Sequence, residues 1–268
     1  MTIPQDKRAL DGISTQQWQA LLAGPPEELA RSLQSAAGLG DAHAQALLGQ
    51  LYLDGRGVAQ NAALAYRHFC QAAQQGHAMA MNMRGRCAEH GWGTSVDLTQ
   101  AALWFLKAAQ AGLDWGMYNY ANLLATGRGV AQDHAQALSW YGQAAQTGHA
   151  KSLNLIGRYY EEGIVVQADR NIAFKYYRAS AEAGDFRGQY SYACMLAERG
   201  RIDEAMRWMA RVPQTSTAAF MKKIGYELQL SAHAAFRSFA QRLLHGVDGD
   251  GPSAAPAGGA ATLSISIA

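Results

Sequence analysis

Gly55-Arg56-Gly57 and Gly127-Arg128-Gly129 have the composition of loops that cradle phosphate with backbone N–H groups. A phosphate loop of that kind follows a strand and opens a helix inside a βαβ unit. These two follow helical patterns and return at a fixed spacing, which makes them turns. Eight histidines raise metal binding, yet the chain has no His-x3-His or Cys-x2-Cys pair of the kind zinc sites use. Only His77 and His149 share a repeat phase, at turns two repeats apart. Glu161-Glu162 sets two carboxylates side by side in sequence, but adjacent helical residues point in different directions, so a solvated face is expected rather than an acid–base pair. Cys194 is a possible nucleophile, but no histidine stands near it in the chain to hold it as thiolate. The expectation is a protein with no catalytic residues, no metal and no cofactor.

Composition narrows the remaining classes. Nearly half the 268 residues (49%) are hydrophobic, enough to bury a substantial core, and 16% are charged against roughly 25% in an average domain. Lys and Arg number 23 against 21 Asp and Glu, with no long run of one sign. A pI near 8.4 lacks the strongly basic balance of a nucleic-acid coat, so no nucleic-acid partner is expected. No stretch is long and apolar enough for a signal sequence or membrane span. Cys70, Cys87 and Cys194 do not form a disulfide framework, and free thiols in a reducing cytoplasm are expected.

The elements that would position any site come from an internal repeat, because adding 36 to a position keeps returning the same residue type. Gly76, Gly112, Gly148 and Gly184 form one column, with Ala72-Ala73, Ala108-Ala109, Ala144-Ala145 and Ser180-Ala181 before it. Phe69, Phe105, Tyr141 and Tyr177 form an aromatic column, and Ala65, Ala101, Ala137 and Ala173 complete that face. Asn61, Asp97, Asp133 and Asp169 stand where a side-chain oxygen can cap the second helix of each repeat. Gln100 and Gln136 follow three residues on, as in a capping box. Gly49, Gly85, Ala121, Gly157 and Ala193 keep the first helix small where it crosses its neighbour. Gly55, Gly91, Gly127 and Gly163 suit the left-handed position that ends that helix. Gly57, Gly93 and Gly129 repeat two residues later, but the fourth repeat has Val165, which predicts a different loop conformation there. The fifth repeat starts in register at Asp185 and then loses four residues in its loop, since Trp208 lies 32 beyond Tyr176.

The string Leu48-Gly49-x-x-Tyr52-x-x-Gly55-x-Gly57-Val58, then Asn61, Ala65 and Ala72-Ala73-x-x-Gly76, resembles the Sel-like repeat, a longer-looped relative of the tetratricopeptide repeat. Gly127-x-Gly129-Val130 with Asp133, Ala137, Trp140-Tyr141, Ala144-Ala145 and Gly148 repeats the pattern. The resemblance implies an all-α, right-handed α-solenoid of antiparallel helix pairs that acts as an adaptor or scaffold, often in bacteria. Some relatives are secreted with a disulfide in each repeat, a pairing these three cysteines do not offer. The expected plan is an N-terminal cap and partial repeat over 1–40, including a helix over 15–23 and another over about 27–37. Four repeats follow over 41–184, then a degenerate fifth over 185–212, capping helices over 213–245 and a flexible tail over 246–268.

Aligning Gly49 with the small position of the tetratricopeptide pattern assigns five residues of each first helix to the inner surface. Among them are His43 in the first repeat, Asn82 and Arg86 in the second, Trp115, Tyr118 and Asn122 in the third, and Lys151, Asn154 and Arg158 in the fourth. Amide side chains can bond both N–H and C=O of an extended peptide, guanidiniums can hold a carboxylate, and the two aromatics can serve as anchors. The expected partner is therefore a protein or peptide, held along Asn82, Arg86, Trp115, Tyr118, Asn122, Lys151, Asn154 and Arg158. An exported envelope or host-directed repeat protein is the alternative, and a hydrolase stands behind both.

Overall fold

Each repeat folds into two helices because its apolar period and its end signals agree. A computed structural model describes residues 24–248. The helix expected over 15–23 and nearly all of the tail lie outside those residues. The helices are α1 (Pro26–Gly38), α2 (Ala42–Asp54), α3 (Ala62–Gln74), α4 (Ala78–His90), α5 (Leu98–Gln110), α6 (Asp114–Thr126), α7 (His134–Gln146), α8 (Ala150–Glu162), α9 (Arg170–Glu182) and α10 (Phe186–Glu198). The shorter α11 (Ile202–Met209) and α12 (Val212–Thr215) precede α13 (Ala218–Gln229) and α14 (Ala234–Asp248). No strand occurs among the described residues. The last helix runs three residues past 245, into the expected tail.

The polar signals work as their chemistry suggests, with one correction. Asn61, Asp97, Asp133 and Asp169 accept from the backbone N–H of Leu64, Gln100, Gln136 and Ile172 at 3.0, 2.9, 2.8 and 3.0 Å. The reciprocal half of a capping box does not form. Instead the backbone N–H of each cap residue donates to a carbonyl nine residues back: Asn61 to Tyr52, Asp97 to Ala88, Asp133 to Leu124 and Asp169 to Tyr160, at 2.8–2.9 Å. That bond ties the end of the first helix to the start of the second, and it leaves Gln100 and Gln136 exposed.

The loop of the fourth repeat is a second correction. Val165 has φ 53°, beside 70°, 69° and 72° at Gly57, Gly93 and Gly129, so it adopts the same left-handed backbone as the glycines. A β-branched residue is a real outlier there, since its Cβ crowds the following carbonyl. The other three glycines have a further reason to be small. A β-carbon on Gly57, Gly93 or Gly129 would stand 2.1, 2.0 or 2.2 Å from the carbonyl oxygen of Pro26, Ala62 or Leu98.

Packing follows the columns. Phe69, Phe105, Tyr141 and Tyr177 are buried, and each ring is worth roughly 1.5–3 kcal/mol. A β-carbon on Gly49, Gly85 or Gly157 would lie 2.8, 2.7 or 2.7 Å from the ring of Phe69, Phe105 or Tyr177, which explains glycine inside a helix despite a cost of about 1 kcal/mol. The chain divides into two compact bodies between Thr147 and Gly148. In the first, α1 to α7 pack each on the next, and α4 also touches α6. In the second, α8 packs on α9 and α10, α10 on α11 and α12, and α13 on α14. This is an all-α solenoid of consecutive helix pairs whose short connections make neighbours antiparallel. In the fifth repeat only Arg199–Arg201 separate α10 from α11, four residues fewer than the loops before it.

Candidate functional site

The first body brings part of the expected surface together. Trp115 and Tyr118, one turn apart on α6, meet edge to face with centroids 6.0 Å apart. Tyr118 lies 6.2 Å from Tyr141 of α7, whose hydroxyl donates to Asn122 Oδ1 at 2.7 Å. Three half-buried or buried aromatics and one amide thus form a connected step, positioned by the first three turns of α6 and the buried column of α7. Tyr141 uses one lone pair of the Asn122 carbonyl oxygen.

Asn82 and Arg86 do not join that step. Asn82 is buried and accepts from Asn119 Nδ2 at 2.8 Å, a contact that fastens α4 to α6. Arg86 instead lies over the ring of Trp92, 4.9 Å from its centroid. Burial makes the Arg86 guanidinium easier to deprotonate than usual, with Glu89 and Asp54 opposing that effect. Glu89 itself pairs with Arg128 at 3.1 Å, so the loop arginine of Gly127-Arg128-Gly129 closes an ion pair.

In the second body Asn154 is buried and its Oδ1 meets no donor. The residue in the phase of Asn119 is Ser191, too short to repeat the amide pair of the first body. Arg158 is exposed and bonds Glu162 Oε1 at 2.7 Å, which holds its proton more firmly than usual. Lys151 is half-buried and acts electrostatically on Asp185, the buried cap of α10. Glu161 and Glu162 are not a bare solvated face: Tyr177 donates to Glu161 at 2.7 Å, and Arg170 bridges Glu161 and Glu198.

The chemistry of the thiols and histidines is settled by position. All three cysteines are free. Burial pushes the thiols of Cys87 and Cys194 up to about 12, far from a thiolate at neutral pH. Among the described residues no group of three His, Cys, Asp or Glu side chains could hold a metal ion, and no helix is long and apolar enough to cross a membrane. What sequence reasoning missed is the role of His77 and His149. Each imidazole is the N-cap of a first helix, accepting from Ala80 N–H at 3.2 Å and from Ser152 N–H at 3.3 Å. Their shared phase with Asp41 and Asp185, two acidic caps, was the available signal.

Comparison with known proteins extends the geometry. The sequence pattern of the Sel1 repeat matches residues 42–77, 78–113, 116–149 and 150–185. No protein of curated function matches the chain. Among solved structures, a Sel1 repeat protein from Oxalobacter formigenes superposes with TM-score 0.74 at 24% identity, over 87% of this chain and 100% of that one. The Escherichia coli protein c5321, a protective antigen of uropathogenic strains with an SLR fold, gives TM-score 0.67 at 23% identity, over 90% of this chain and 55% of that one. The immunity protein Pa5087 of Pseudomonas aeruginosa gives TM-score 0.52 at 17% identity, over 92% and 84%.

Proposed function

The chain belongs to the Sel1 repeat family, and we propose that it is a non-enzymatic adaptor that holds an extended peptide or a partner helix against the inner side of α4 and α6. Proteins of this family generally act as scaffolds for protein–protein interaction. The observation that carries the reading is the aromatic step of Trp115, Tyr118 and Tyr141 with the Asn122 amide beside it. Rigid aromatic side chains next to a polar group that fixes orientation are the usual composition of an energetic hot spot. Arg86, over the ring of Trp92, adds a cation on α4. The cytoplasm is the proposed compartment, supported by three unpaired thiols.

The test is a comparison of wild type with Trp115→Ala/Tyr118→Ala in affinity capture from native lysate, followed by titration of the recovered partner. Loss of two such anchors should weaken binding roughly 30-fold, the size of a 2 kcal/mol hot spot. Circular dichroism on both proteins checks that the helices remain. Equal affinity of the two for the same partner would remove this surface from consideration.

A further inference from the structure

We propose that His43 and His77 form a proton-sensitive clasp, which fastens the first turn of α2 to the start of α4 while both rings are neutral and releases when either ring takes a second proton. The inference stands on the ring geometry and does not depend on the binding surface described above. His77 Nδ1 accepts the backbone N–H of Ala80 at 3.2 Å. A backbone N–H can only donate, so Nδ1 is bare and the neutral ring holds its hydrogen on Nε2. That Nε2 lies 3.3 Å from His43 Nδ1, with the ring centroids 5.6 Å apart, so His77 donates and His43 accepts.

Any added proton then lands on a nitrogen already in use. On His77 Nδ1 it faces the Ala80 N–H and removes the cap of α4. On His43 Nδ1 it faces the hydrogen of His77 Nε2 and breaks the bond between the helices. The same tautomer disfavours a metal bridge, because His77 Nε2 has no lone pair to give while Nδ1 caps the helix. The surroundings agree: burial makes both rings harder to protonate than a free imidazole, and His43 adds to this for His77. Asp41, the cap of α2, acts on both rings in the opposite direction.

The sign follows from linkage. A histidine whose folded form resists protonation contributes stability that is complete above its unfolded pKa of about 6.5 and is lost as pH falls through the folded value. In the full chain, nitrogen NMR of the imidazoles should show His77 as the Nε2–H tautomer at neutral pH. Exchange of the Ala80 amide, corrected for the intrinsic rate, should then rise about fivefold between roughly pH 7 and 5, the size expected for loss of an N-cap. His77→Asn keeps a cap that does not titrate, and its Ala80 protection should stay flat across that range. His43→Gln should move the His77 step toward the pH of a free imidazole. Finding His77 as the Nδ1–H tautomer, or an equal rise in exchange in His77→Asn, would overturn the clasp.

Discussion

Val165 shows how a single residue can accept a backbone chosen for glycine. Its side chain is 56% exposed, so the strain is local and is not repaid by burial. Val165→Gly should therefore stabilise the chain by about 1 kcal/mol, the left-handed penalty less the entropy glycine adds to the unfolded state. The reverse change at the matching position has a different outcome. Gly93→Val would drive a β-carbon to within 2.0 Å of the Ala62 carbonyl, and a loss on the order of 3 kcal/mol is expected from overpacking and strain together. Urea denaturation of both variants beside wild type measures the pair. The sequence marked Val165 as the departure in its column, yet predicted a new loop shape. Residue type reports what a backbone prefers, while the hydrogen bonds from Asp169 N–H to Tyr160 and from Ile164 N–H to Tyr159 decide what it does.

At the scale of one element, the ends of the helices were the most legible feature and their partners the least. Four Asn or Asp caps could be assigned from spacing alone, because the cap bond spans two or three residues. The bond that replaces the capping box spans nine residues across a loop, and no local pattern encodes it. Imidazole caps at His77 and His149 escaped for a related reason, since histidine ranks low among caps and acts here through one tautomer. The same column exposes a weakness in α6: its cap position is Leu113, which provides no side-chain acceptor, while Asp41, His77, His149 and Asp185 do so for α2, α4, α8 and α10. Leu113→Asp should supply one and raise stability by about 1 kcal/mol, read as a higher midpoint of thermal unfolding. An unchanged or lower midpoint would mean that Leu113 contributes more through packing than the cap can offset.

At the scale of a whole compact body, most helices touch those next to them in sequence. Stability in such a chain is close to a sum of repeat and nearest-neighbour contributions. Gly85→Ala, which presses a methyl group onto the Phe105 ring, should then speed amide exchange through α3 to α5 and leave α7 unchanged in a hydrogen-exchange map. The architecture was readable because 36-residue columns average over local ambiguity. The proposed binding surface was less so, since exposure depends on what each side chain meets: Asn82 meets Asn119, Arg158 meets Glu162, while Trp115, Tyr118, Tyr141 and Asn122 follow one another in a chain of contacts. The loop glycines carry one more consequence. Each of Gly57, Gly93 and Gly129 rests against a carbonyl 31 positions earlier, so the contact acts as a ruler laid along the chain. An insertion of a few residues between the two marks would misplace the glycine, whereas gaining or losing a complete 36-residue segment would leave every mark aligned. Such a chain can change length in whole repeats far more readily than by single residues.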